Sequence, residues 1–281
     1  MQSLFGPVDA KVHKSLPQPL APTRDSSISR LEEIEKRGFI RVGYFKDSLP
    51  FAFTNSEGTL VGFDIEMAHL LAKSLDVSLD FVRIDREKIA ASLNDGHCDI
   101  IMSGLVVTSD NLREMAFSLP YMDTTVGFIV KDHRRDEFKT LQSIQSLEAP
   151  RIGVPNSPHF IAKVQKILPH VMLVSLNSPR EFFKRQDLDA FIFTAEAGSA
   201  WTLVYPEYTV VVPQPDSIKA PLAYPSAQND QRMINFINSW IDLRMKDKTI
   251  EKLFDHWILG QGADKKEPRW SIIRNVLHWV D

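Results

Sequence analysis

The chain has 281 residues, with 33 basic against 36 acidic side chains, a formal net charge of -3 and 43% hydrophobic residues. That is an ordinary globular composition at the length of two domains or one two-lobed body, and its balanced charge lacks the diffuse basic field that nucleic-acid binding needs. One cysteine, Cys98, excludes an intrachain disulfide, and no run of about 18 apolar residues is present to span a membrane.

The first 30 residues carry no secretory-signal pattern and include Leu16-Pro17-Gln18-Pro19-Leu20-Ala21-Pro22. Proline fixes φ and lacks an N–H, so residues 1–30 read as an extended linker or extension. Folded-domain signals begin near Ile28. Residues 39–44 predict a first strand, and a turn over Asn55-Ser56-Glu57-Gly58 precedes residues 60–63. Asp64 stands where an N-cap belongs, ahead of Ile65, Ala68, Leu71 and Leu75. Strands are expected at 79–84 and 99–102, with a helix over 86–93 between them.

A strand over 125–130 leads into a second alternation, with strands at 151–154, 171–174, 190–193 and 210–212. Two helices close the fold at about 230–243 and 249–257. The class is therefore α/β, with two lobes, each a mixed sheet flanked by helices, hinged by crossings near 129–132 and 213–220. Lobe one takes residues 31–129 plus 219–260, and lobe two takes 130–218. Residues 261–281 predict an amphipathic tail helix, with Trp270, Ile273, Val276, Leu277 and Val280 on one half of the wheel. That face suits either docking on the body or contact with a membrane or partner.

Catalytic signatures are missing from the sequence. It has no Walker A pattern, no nucleophile elbow and no dinucleotide fingerprint after the first strand. The histidines are scattered without metal-ligand spacing, so neither a metal nor a cofactor is expected.

A set of ordered segments carries more. They are Ile40-Arg41-Val42-Gly43 with Pro50-Phe51, Val61-Gly62-Phe63-Asp64-Ile65-Glu66-Met67-Ala68, Cys98-Asp99-Ile100-Ile101-Met102-Ser103-Gly104, Thr108, and Phe117-Ser118-Leu119-Pro120-Tyr121. Through them residues 31–259 resemble the type 2 periplasmic solute-binding proteins, in particular the bacterial family 3 that serves polar amino-acid transport. The resemblance implies a Venus-flytrap binding domain facing the periplasm, a small polar ligand, and a membrane transporter as partner.

Ligands of open α/β sheets sit beyond the carboxyl ends of strands. With the family's pattern, that gives the candidate residues Tyr44, Phe51, Arg86, Ser103, Gly104, Thr108, Asn111, Ser157, Thr194 and Glu196.

The sequence also departs from that pattern. Asn111 stands where the amino-acid binders place an arginine for the ligand carboxylate, and Val106 where they place a threonine. Asn156-Ser157-Pro158 replaces a Gly-Thr pair, and Thr194 replaces the aspartate for the ligand ammonium. Arg86 and Glu196 are the candidates to compensate, the first for an anionic group and the second for a cationic or hydroxyl group.

The same fold includes cyclohexadienyl dehydratase-like enzymes. On that alternative Glu196 would be the general acid and Arg86 the grip on the substrate carboxylate. The proline-rich lead-in, residues 195–203 and the tail resemble the binding domain appended to some cation:dicarboxylate symporter-type transporters. This implies a transporter in the same polypeptide and a tether to the inner membrane.

Overall fold

The computed structural model describes residues 3–20, 28–215, 217–228 and 230–261. The chain first lays down β1 (Ala10–His13), α1 (Arg30–Arg37), β2 (Phe39–Tyr44), β3 (Phe53–Thr54), β4 (Leu60–Val61), α2 (Phe63–Leu75) and β5 (Ser78–Arg83). It continues with α3 (Ile89–Asn94), β6 (Ile100–Ile101), α4 (Asn111–Glu114) and β7 (Ala116–Phe117). The long β8 (Met122–Lys131) then leaves this lobe.

The second lobe holds α5 (Leu141–Gln145), β9 (Arg151–Pro155), α6 (Pro158–Ile167), β10 (Met172–Leu176), α7 (Pro179–Phe183), β11 (Ala190–Thr194), α8 (Ala195–Val204) and β12 (Tyr208–Val211). The chain returns through β13 (Lys219–Leu222) and β14 (Pro225–Ser226), and α9 (Gln231–Lys246) and α10 (Thr249–Trp257) pack back on the first lobe.

The first sheet has the order β1-β5-β2-β6-β14-β7, parallel from β1 through β6. The second has the order β10-β9-β11-β8-β12, with β8 antiparallel to both neighbours. Each lobe has its own core. Ile40, Val42, Leu71, Ile237 and Trp240 belong to the first, and Phe128, Val130, Ile152 and Ile192 to the second.

The hinge is made of two strands. Met122–Thr125 of β8 pair with β13, and from Val126 onward the same strand pairs with β11. The first crossing therefore comes earlier than the expected 129–132, because Phe128 and Val130 already serve the second core. The first lobe's segment accordingly ends near Thr125 rather than at residue 129.

The lead-in also differs from a free linker. β1 adds a parallel strand outside β5, and His13 Nε2 lies 2.8 Å from Asp80 Oδ2. The Leu4 and Phe5 amides donate to the Glu66 carboxylate, and Arg41 Nη1 donates to the Gln18 carbonyl. Residues 3–20 are an extension seated on the first lobe, covering a sheet edge that would otherwise present unpaired backbone groups. The expected tail helix lies outside the described residues from position 262 on.

Candidate ligand cleft between the lobes

The cleft floor is organised by a residue whose role differs from the one expected. Gly62, not Asp64, is the N-cap of α2, with no side-chain capping bond. Asp64 is fully buried, and its Oδ2 accepts from the Gly104 amide at 2.6 Å and the Tyr121 hydroxyl at 2.9 Å. Its Oδ1 accepts from the Tyr224 hydroxyl at 2.8 Å. Burial disfavours the charged carboxylate and pushes its pKa up to about 7, against the pull of these hydrogen bonds.

Asp64 thus fixes the loop after β6, where Gly104 adopts φ +65° and presses against the Phe51 ring. A Cβ there would sit 2.5 Å from that ring, so only glycine fits.

Above this floor is a cavity of about 130 Å³. Lobe one contributes Ser48, Phe51, Arg86, Gly104, Val106, Thr108 and Asn111. Lobe two contributes Ser157, Phe160, Phe193 and Thr194, and the hinge strands add Val126 and Ala220. Ser157 and Thr194 are the N-caps of α6 and α8, so both helices turn their partially positive ends toward the cavity.

Arg86 is half-buried, with its guanidinium 4.2 Å from the Phe45 ring centroid and Nη2 donating to Ser48 Oγ at 3.3 Å. Burial lowers its pKa to about 10, which leaves it charged at neutral pH. Among the described residues no carboxylate forms an ion pair with it. It stands between the cavity and a wider polar chamber of about 380 Å³, bordered by Lys46, Asp47, Asp85, Glu87, Asn156 and Asn177.

Two contacts close that side of the cleft. Arg180 Nε of lobe two lies 3.2 Å from Asp47 Oδ1 of lobe one, and Asn156 Nδ2 donates to Glu87 Oε1 at 2.6 Å.

Of the residues expected at the site, Phe51, Arg86, Gly104, Thr108, Asn111, Ser157 and Thr194 meet in the cavity wall. Tyr44, Ser103 and Glu196 do not. Tyr44 ends β2 with its ring in the first core, edge-on to Phe81 at 6.2 Å. Ser103 is buried, its Oγ accepting from the Phe45 amide and its carbonyl from the Ser48 hydroxyl, so it shapes the loop behind the wall. Glu196 Oε2 accepts from the Thr125 amide at 3.0 Å and ties α8 to the hinge strand.

The apolar lining of Leu105, Val126, Phe160, Phe193 and Ala197 was not singled out from sequence. Its signal lay in position, because Phe193 is the last residue but one of β11 and Phe160 lies in the first turn of a helix that opens on the cleft.

With this geometry in place, comparison with known proteins decides the family. The bacterial extracellular solute-binding proteins, family 3, match residues 40–260. This chain belongs to that family. A cyclohexadienyl dehydratase of Pseudomonas aeruginosa is 27% identical over 235 residues, covering 82% of this chain and 86% of the relative. An ABC transporter arginine-binding protein of Escherichia coli is 24% identical over 214 residues, covering 74% and 86%.

Among solved structures, an ancestral amino acid-binding protein described as a precursor of cyclohexadienyl dehydratase superposes with a TM-score of 0.74 at 29% identity. It matches 82% of this chain and 100% of its own. An ancestral arginine-binding protein bound to arginine gives a TM-score of 0.70 at 25% identity, matching 79% of this chain and 98% of its own. The two-lobed solute-binding fold is therefore shared. No helix among the described residues is long and apolar enough to cross a membrane.

Proposed function

We propose that this solute-binding protein closes its two lobes on a small carboxylate-bearing metabolite, held by Arg86, and presents it to a membrane transporter on the periplasmic side. The observation that carries this reading is the unpaired guanidinium of Arg86 at the cavity wall. A half-buried cation without a counter-ion is costly, and a ligand carboxylate offers it a planar, bidentate partner. The N-terminal ends of α6 and α8 add to the same anion preference. The transporter partner rests on the family and its transport relatives. Tethering to the inner membrane rests on the likeness of the ends to a transporter-appended domain.

The test is titration calorimetry with ligands found by a thermal-shift screen of carboxylates and amino acids. Arg86→Met should weaken the best ligand by at least tenfold while the circular dichroism and melting of the free protein stay near wild type. Unchanged affinity would remove Arg86 as the anchor.

The dehydratase relative keeps an enzymatic reading in view, and for it a proton donor must reach the substrate. Glu196 is engaged with the Thr125 amide outside the cavity wall. Among the described lining residues there is no carboxyl or imidazole group to move a proton. Incubation with prephenate or arogenate is therefore expected to return the compound unchanged by product analysis.

A further inference from the structure

We infer that the cavity selects a carboxylate with an apolar body and no ammonium group, such as a 2-oxo acid, over the corresponding amino acid. This deepens the reading of Arg86 as the anion anchor and rests on it.

The first argument is charge. Arg86 is the one ionised side chain among the described lining residues, so an enclosed ligand of charge -1 neutralises the site and a zwitterion leaves a cation over. An ammonium group taken out of water needs a counter-charge or a full set of acceptors. The carboxylates of Asp64, Glu196, Asp47 and Glu87 are engaged elsewhere. Asp64 lies behind Gly104 and accepts three hydrogen bonds, Glu196 holds the hinge strand, and Asp47 and Glu87 are used in the contacts between lobes.

The neutral polar groups are also partly committed. Thr108 Oγ1 accepts from the Asn111 amide at 3.2 Å, Thr194 Oγ1 accepts from the Ala197 amide at 3.4 Å, and Asn111 Nδ2 donates to the Val106 carbonyl at 3.4 Å.

Shape is the second argument. The cavity of about 130 Å³ is walled by the side chains of Phe51, Val106, Phe160 and Phe193. A dry apolar cavity of roughly 150 Å³ accommodates benzene. The available volume therefore fits one aromatic ring or a branched aliphatic chain, its carboxylate reaching out to Arg86 at the rim. A long cationic side chain would have to give up its hydration against aromatic walls that supply no counter-charge.

The experiment is titration calorimetry on the wild-type full chain with matched pairs: phenylpyruvate against phenylalanine, and 4-methyl-2-oxopentanoate against leucine. At least one oxo acid should bind ten times or more tighter than its amino partner, and Arg86→Met should abolish that preference.

If the amino acid of each pair binds as tightly as its oxo acid or tighter, the selectivity is overturned, while a loss of binding in Arg86→Met would still uphold the anchor. If no member of either pair binds at millimolar concentration, the inference is also overturned, whatever other solutes the protein takes. Oxo-acid binding unaffected by Arg86→Met would overturn both this inference and the anchor it rests on.

Discussion

Asp64 sits where a carboxylate is expensive, and that cost is measurable. Its native pKa of about 7 lies above the ordinary 3.8 of the unfolded chain, because burial penalises the charge more than Tyr121, Tyr224 and Gly104 repay it. Between these values the native state holds more protons than the unfolded state, so this group's contribution to stability falls as pH rises from about 4 to 7. A span of three units corresponds to on the order of 4 kcal/mol. Asp64→Asn removes the titration and keeps an oxygen for one hydroxyl. Urea unfolding of both proteins at pH 4, 5.5 and 7.5 should show wild type losing ground to the variant as pH rises. Parallel pH profiles would mean that Asp64 titrates near its ordinary value.

At the scale of elements, the contacts across the open side of the cleft set how firmly the lobes stay together. The Arg180–Asp47 pair joins α7 to the loop after β2, with the Arg180 guanidinium 5.2 Å from the Trp201 ring centroid. The pair is partly exposed, so its effect on overall stability should be within about 1 kcal/mol. Its effect on ligand release should be larger, since both halves move apart when the cleft opens. Arg180→Ala combined with Asn156→Ala is expected to raise the ligand off-rate several-fold in stopped-flow measurements and leave the melting of the free protein almost unchanged. An unaltered off-rate would mean that these contacts do not hold the closed form.

The same scale explains what could be read from the sequence. β2, β9 and β11 are largely apolar runs and β5 mixes apolar with polar positions, each beside a helical stretch, so their strand character is visible in the sequence. β8 was harder to divide, because one continuous strand of 10 residues serves the hinge and then the second sheet, with no proline or helix to mark the passage. β1 was hidden for the opposite reason. It has 4 residues, none of them buried, and owes its form to the edge of β5 rather than to its own pattern.

Asp64 shows the limit at the site, since an acidic residue at a helix start looks alike whether it caps the helix or holds a distant loop. Phe51, Arg86 and Gly104 were legible because they follow strands or turns at the cleft end. Tyr44 follows the same rule and still points into the core, since position after a strand does not fix which side of the sheet a ring takes.

For the whole molecule, each lobe has its own core, Ala197 and Phe193 of the second lobe pack against the first, and among the described residues the chain passes between the lobes through β8 and β13. A ligand clasped by Arg86 on one side and by the ends of α6 and α8 on the other adds a further connection to the hinge strands and the contacts at Arg180 and Asn156. It binds the folded, closed form and not the unfolded chain, so mass action stabilises the fold by roughly 2.7 kcal/mol at a hundred times the dissociation constant. For a chain of this size that is a rise of about 5 °C in melting temperature.

Closure should also bring the lobes nearer, so small-angle scattering should give a smaller radius of gyration with ligand than without. The two readouts separate two mechanisms. A raised melting temperature with an unchanged radius would mean that the ligand enters an already closed molecule, and the contacts at Arg180 and Asn156 would then be expected to persist without it. A raised melting temperature with a smaller radius would mean that ligand binding supplies the free energy of closure, and those two contacts form only as the cleft shuts.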